Sequence, residues 1–77
     1  MKSVQQRIDD SRQYLGSGMT RMLSPVITDK AYADGWRYLY PSGICYHGER
    51  YTDLGLTLDM LEFHGIITLK LQTVTII

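Results

Sequence analysis

Hydrophobic residues recur at helical spacing most clearly at the start of the chain. Val4, Ile8 and Leu15 fall on one stripe, with Ser11 as its polar interruption. Ser3 stands at a capping position, Gln6 three residues on completes a capping-box pattern, and Gly16 lies where a helix turns left-handed. A helix is predicted over residues 3–15, and its narrow apolar stripe suits the edge of a domain. Residues 16–35 lack a clear period. Gly16-Ser17-Gly18 reads as a loop, Met19 to Leu23 can form a helical turn, and Ser24-Pro25 can open a helix. Irregular chain is expected there, with a helical turn near residues 29–34.

Alternation then takes over. Trp36, Tyr38 and Tyr40 alternate with Arg37 and Leu39, Pro41-Ser42-Gly43 is turn chemistry, and Ile44, Cys45, Tyr46 and His47 make a return strand ended by Gly48. Residues 52–64 fit two periods. Leu54, Leu56, Leu58 and Met60 alternate as in a strand, whereas Leu54, Leu58 and Leu61 make a helical stripe. Thr52 or Asp53 as cap and His64-Gly65 as terminus favour the helix. Residues 66–77 read as a strand, with Ile67, Leu69 and Leu71 on one face and Thr68, Lys70 and Gln72 on the other. The expected fold is α+β: one domain over residues 1–77, with a small antiparallel sheet (the hairpin plus the C-terminal strand) packed against two helices.

Charge and composition narrow the function. Lys and Arg total 8 and Asp and Glu total 8, which lacks the basic excess of a protein that neutralises many phosphates. An apolar share of 44% and a charged share of 21% suit a globular domain. So small a core leaves a thin stability margin, which favours a homodimer or a completing partner. The single cysteine, Cys45, permits no intrachain disulfide, and a domain this small without one suits a reducing, cytoplasmic setting. Gln5, Gln6, Asp9 and Asp10 near the N-terminus do not read as a signal peptide, and residues 66–77 are too short to span a bilayer.

The most informative constellation is aromatic. Trp36, Tyr38, Tyr40, Tyr46 and Tyr51 crowd one stretch, flanked by Arg37 and Arg50. Tyr, Trp and Arg dominate binding hot spots because they offer rigid contact area with a polar tip. The same rings can instead fill the core. Aromatic strands also stack on single-stranded bases, but only Arg37, Arg50 and Lys70 are near enough in sequence to supply charge. Cys45, His47, Glu62 and His64 offer at best half of a zinc spacing, and no P-loop, dinucleotide fingerprint or HExxH is present. No enzyme activity, cofactor or metal is expected.

Residues 57–67, from Thr57-Leu58-Asp59 through His64-Gly65 to Ile66-Ile67, resemble the recognition-helix end and first wing strand of a winged helix. The resemblance implies a DNA-binding regulator, yet that helix carries Asp59 and Glu62 and no Lys or Arg. The leading expectation is therefore a non-enzymatic module that binds a larger protein or nucleoprotein complex sterically. In style the chain resembles small accessory proteins of phages and mobile elements, among which inhibitors of host defence, including the anti-CRISPR proteins, are frequent. Its contact residues would be Trp36, Arg37, Tyr38, Tyr40, Tyr46, Arg50 and Tyr51. A homodimer through the C-terminal strand is a further expectation, with direct nucleic-acid binding less favoured and no membrane partner.

Overall fold

The computed structural model describes residues 1–75, and residues 76 and 77 of the expected C-terminal strand lie outside them. The class is α+β, with three helices and two small antiparallel three-stranded sheets among the described residues. The described residues divide into two compact units, residues 1–26 with the C-terminal segment from 69, and residues 27–68.

In the first unit, helix α1 (Val4–Asp10) buries Val4 and Ile8. The Ser3 hydroxyl accepts the Gln6 N–H at 3.1 Å, as the capping pattern requires. The expected helix continued to residue 15, but the side chain of Ser11 ends it. Its hydroxyl donates to the Ile8 carbonyl at 2.8 Å and accepts the Leu23 N–H at 2.7 Å. The chain then extends into β1 (Gln13–Gly16), which pairs antiparallel with β2 (Met19–Ile27), a bulge falling between Tyr14 and Gly16. Residues 19–23, allowed for as a helical turn, and Ser24-Pro25, allowed for as a helix start, are thus strand. Pro25 costs the ladder nothing on the β1 side, because that pairing reaches only Arg21. At the surface, Lys2 at 2.6 Å and then the Gln6 amide donate to Asp10 and hold its carboxyl below the ordinary aspartate value.

The second unit holds the larger core. Ile27, Ala31, Trp36, Ile44, Leu61 and Ile67 are buried together, with Tyr46, Tyr51, Leu56, Leu58 and Ile66 packed around them. Helix α2 (Asp29–Asp34) is the helical turn expected near residues 29–34, and Thr28 fixes it at both ends of one hydroxyl. That group accepts the Ala31 N–H at 3.2 Å and donates to the Gly65 carbonyl at 2.9 Å. Gly35 ends α2 with φ 118, and its N–H reaches the carbonyls of Ala31 and Tyr32. The expected hairpin follows as β3 (Trp36–Tyr38) and β4 (Ile44–Tyr46), extended by the short β5 (Glu49–Arg50). His47 is not in the strand. It has φ 50 and Gly48 φ 86, so the pair makes the two-residue turn between β4 and β5.

Helix α3 (Leu58–Phe63) is shorter than the helix expected over residues 52–64. Residues 51–55 form turns that Gly55, at φ 76, closes, and Thr57 rather than Thr52 or Asp53 supplies the cap, accepting the Met60 N–H at 3.2 Å. Strand β6 (Ile67–Thr75) then pairs with β2, giving the order β1-β2-β6, with β3-β4-β5 as the other sheet. The C-terminal strand therefore lies in a different sheet from the aromatic hairpin. The winged-helix resemblance ends with the α3–β6 succession, since the strands β3, β4 and β5 rather than a pair of helices stand immediately before α3. Among the described residues no helix is long and apolar enough to cross a membrane.

A Cβ at Gly35 would stand 2.7 Å from Cε1 of the His47 ring, at a φ that side chains rarely adopt. Gly35→Ala is expected to destabilise the second unit by about 1–3 kcal/mol. Urea unfolding followed by Trp36 fluorescence measures this, and an unchanged midpoint contradicts it.

Candidate protein-binding surface

Register sorts the aromatic residues. Trp36 pairs with Tyr46 and Tyr38 with Ile44, so these four share one face of the β3-β4-β5 sheet. That face is the core side. Trp36 is 6% exposed, and its ring lies 4.9 Å from the half-buried Tyr46 ring. Tyr51 is also half-buried against the core, its N–H donating to the Ile44 carbonyl. Trp36 is therefore a core residue, and Tyr46 and Tyr51 give much of their area to packing. Burial of one face of an alternating strand takes whichever large rings point inward.

Arg37, Tyr38, Tyr40 and Arg50 remain at the surface. Tyr40 is 94% exposed at the start of the β3–β4 connection, whose ends are joined by the Leu39 N–H donating to the Gly43 carbonyl at 3.1 Å. The Tyr38 ring is 57% exposed, yet its hydroxyl accepts the Ile27 N–H at 2.8 Å. That tip is structural while the ring faces solvent. Tyr38→Phe should leave a part-buried N–H unpaired and cost about 1–3 kcal/mol, read as a lower thermal midpoint with unchanged spectra; no loss contradicts the assignment.

Arg37 has the most determined position. Its Nη1 donates to the carbonyls of Tyr32 and Trp36 at 2.6 and 2.7 Å, and its Cζ stands 3.7 Å from the Tyr32 ring centroid. A cation at the end of α2 suits the partial negative charge of that terminus. The sequence reading missed Tyr32, which is 52% exposed and lies against Arg37, whose side chain leaves the sheet on the face opposite Tyr38. Its five-residue separation from Arg37 acquires meaning only because Gly35 reverses the chain between them. On the opposite face from Trp36, Arg37 and Arg50 stand on either side of Cys45, the three aligned across the strands.

The chemistry residues do not converge. Cys45 is buried, the His47 ring packs on Gly35 and lies 4.2 Å from the Tyr46 ring, and His64 meets Phe63. Cys45 and His47, expected on one strand face, are separated by the turn that begins at His47. Among the described residues no group of three or more His, Cys, Asp or Glu side chains gathers. A cavity of about 590 Å³ is lined by Lys30, Ala31, Ala33, Asp34, His64, Gly65 and Ile66, a set without a thiol or hydroxyl nucleophile.

No protein-family model, curated protein or solved structure matches the chain. Tyr32, Arg37, Tyr38, Tyr40 and Arg50 offer rings with few rotatable bonds and two guanidinium groups, a composition suited to protein contact.

Proposed function

We propose that the chain is a non-enzymatic protein-binding module that acts by occupying a surface on a larger protein or nucleoprotein complex. The observation that carries this reading is Tyr40, a large ring 94% exposed beside an ordered hairpin. Exposed apolar residues scattered singly are ordinary; here Tyr38 adjoins Tyr40 along the chain, and Arg37 is stacked on Tyr32. The rings would enter pockets on the partner, and Arg37 and Arg50 would pair with its carboxylates. Little ordering is needed for Arg37, whose side chain is already held by two carbonyls and a ring.

The mode we propose is steric inhibition of the anti-CRISPR or other anti-defence type, with the exposed rings and guanidinium groups as the blocking contact. A reducing, cytoplasmic setting suits the single buried thiol of Cys45. The test is capture from the source cell's lysate with tagged protein, with and without nuclease. A dominant protein retained after nuclease supports the reading. Loss of every partner on nuclease treatment, together with binding of the purified chain to duplex DNA, overturns it in favour of nucleic-acid binding.

A further inference from the structure

The two outer strands of the β1-β2-β6 sheet differ in how they meet solvent. β1 is four residues long, carries a bulge and ends in glycine, all features that discourage pairing with another chain. β6 is longer and free of glycine. It runs nine residues without Pro, Gly or a bend, carries one charge, Lys70, and includes the β-branched Ile67, Thr68, Thr73, Val74 and Thr75. Nearly all its residues beyond Leu69 are exposed, Leu71 to 51% and Val74 to 39%. The inward stripe begun by Ile67 and Leu69 thus continues into solvent at Leu71.

The direction of the open edge follows from one bond. The Ile66 carbonyl accepts the Thr28 N–H at 3.0 Å and so faces the β2 side. Alternation along an unbroken strand then turns the N–H and C=O of Leu69, Leu71 and Thr73 to the open side. We infer that this edge pairs with the same edge of a second copy of the chain, antiparallel and centred on Leu71, the midpoint of β6.

In that register the edge is complementary to itself. About that centre Leu71 meets Leu71 of the second copy, Leu69 meets Thr73, and Thr68 meets Val74, so apolar and β-branched side chains oppose one another. Lys70 falls opposite Gln72 and not opposite another lysine, so pairing brings no like charges together. The edge carries no acid that would select a basic foreign strand. This inference is independent of the aromatic surface, and either can fail alone.

Sedimentation equilibrium of the purified chain over a range of concentrations is the test. The expected result is a rise from the 8.8 kDa chain mass to twice that value. Leu71→Lys places two cations at the centre and is expected to remain monomeric at concentrations where the unaltered chain is dimeric, with the same circular dichroism. The register has its own readout. Leu71→Cys is expected to form a covalent dimer on oxidation, because residues paired at that position lie about 5.5 Å apart, within disulfide range. Thr73→Cys sets its two thiols about 13 Å apart along the strands and should not cross-link. The native Cys45 is buried and gives little background. A monomer at every concentration overturns the inference, as does a dimer that persists in folded Leu71→Lys.

Discussion

Leu61→Ala is expected to leave much of the second unit unfolded in the absence of denaturant. Leu61 is 0% exposed and sits among Ile27, Trp36, Ile44 and Ile67. Truncation removes its transfer free energy and leaves a cavity, together costing about 2–5 kcal/mol. A chain of this length has a total stability on the order of 5 kcal/mol, so one such loss consumes most of the margin. Trp36 is the only tryptophan and is itself buried in this core, so its fluorescence reports the unit directly. With a urea dependence of about 1 kcal/mol per molar, the midpoint should fall by about 2–5 M, or be lost. Leu61→Met, which conserves volume, should cost less than about 1.5 kcal/mol. A Leu61→Ala variant as stable as the unaltered chain would contradict the described core.

The second large effect is on binding. Tyr40→Ala is expected to weaken partner affinity by about 1–3 kcal/mol, or about fivefold to more than a hundredfold, while leaving the unfolding free energy within about 0.5 kcal/mol. The separation of the two readouts comes from its 94% exposure. Tyr46→Ala is expected to behave otherwise, losing stability through its contact with Trp36. Isothermal titration against the captured partner, beside urea unfolding of each variant, distinguishes the cases. Equal affinity in folded Tyr40→Ala overturns its role as an anchor.

The parts of this fold that were legible in sequence are those where one local signal had no competitor. Ser3 and Gln6 marked the start of α1, Gly35 marked the end of α2, and the aromatic alternation from Trp36 marked the hairpin. β1 and β2 escaped because their patterns carry no period. Every residue of β1 is exposed, and β2 alternates Met19, Leu23 and Ile27 with Met22 and Val26, apolar on both faces. The end of α1 depended on a hydrogen bond from Leu23 to Ser11, twelve residues away, which no local rule anticipates. β6 was found as a strand but placed in the wrong sheet, since side-chain alternation says nothing of which strand lies alongside. The candidate surface was half legible. Its composition was visible, but only the register of β3 against β4 separates core Trp36 from exposed Arg37, and only the reversal at Gly35 brings in Tyr32.

Hydrogen exchange of the chain bound to its captured protein partner tests the central claim most directly. The expected result is slowed exchange over residues 37–43 and near Arg50 in the complex, with residues 13–16 of β1 unchanged. Protection confined to segments outside the second unit, with residues 37–43 exchanging as in the free chain, would contradict the claim that the exposed tyrosines and arginines are the contact.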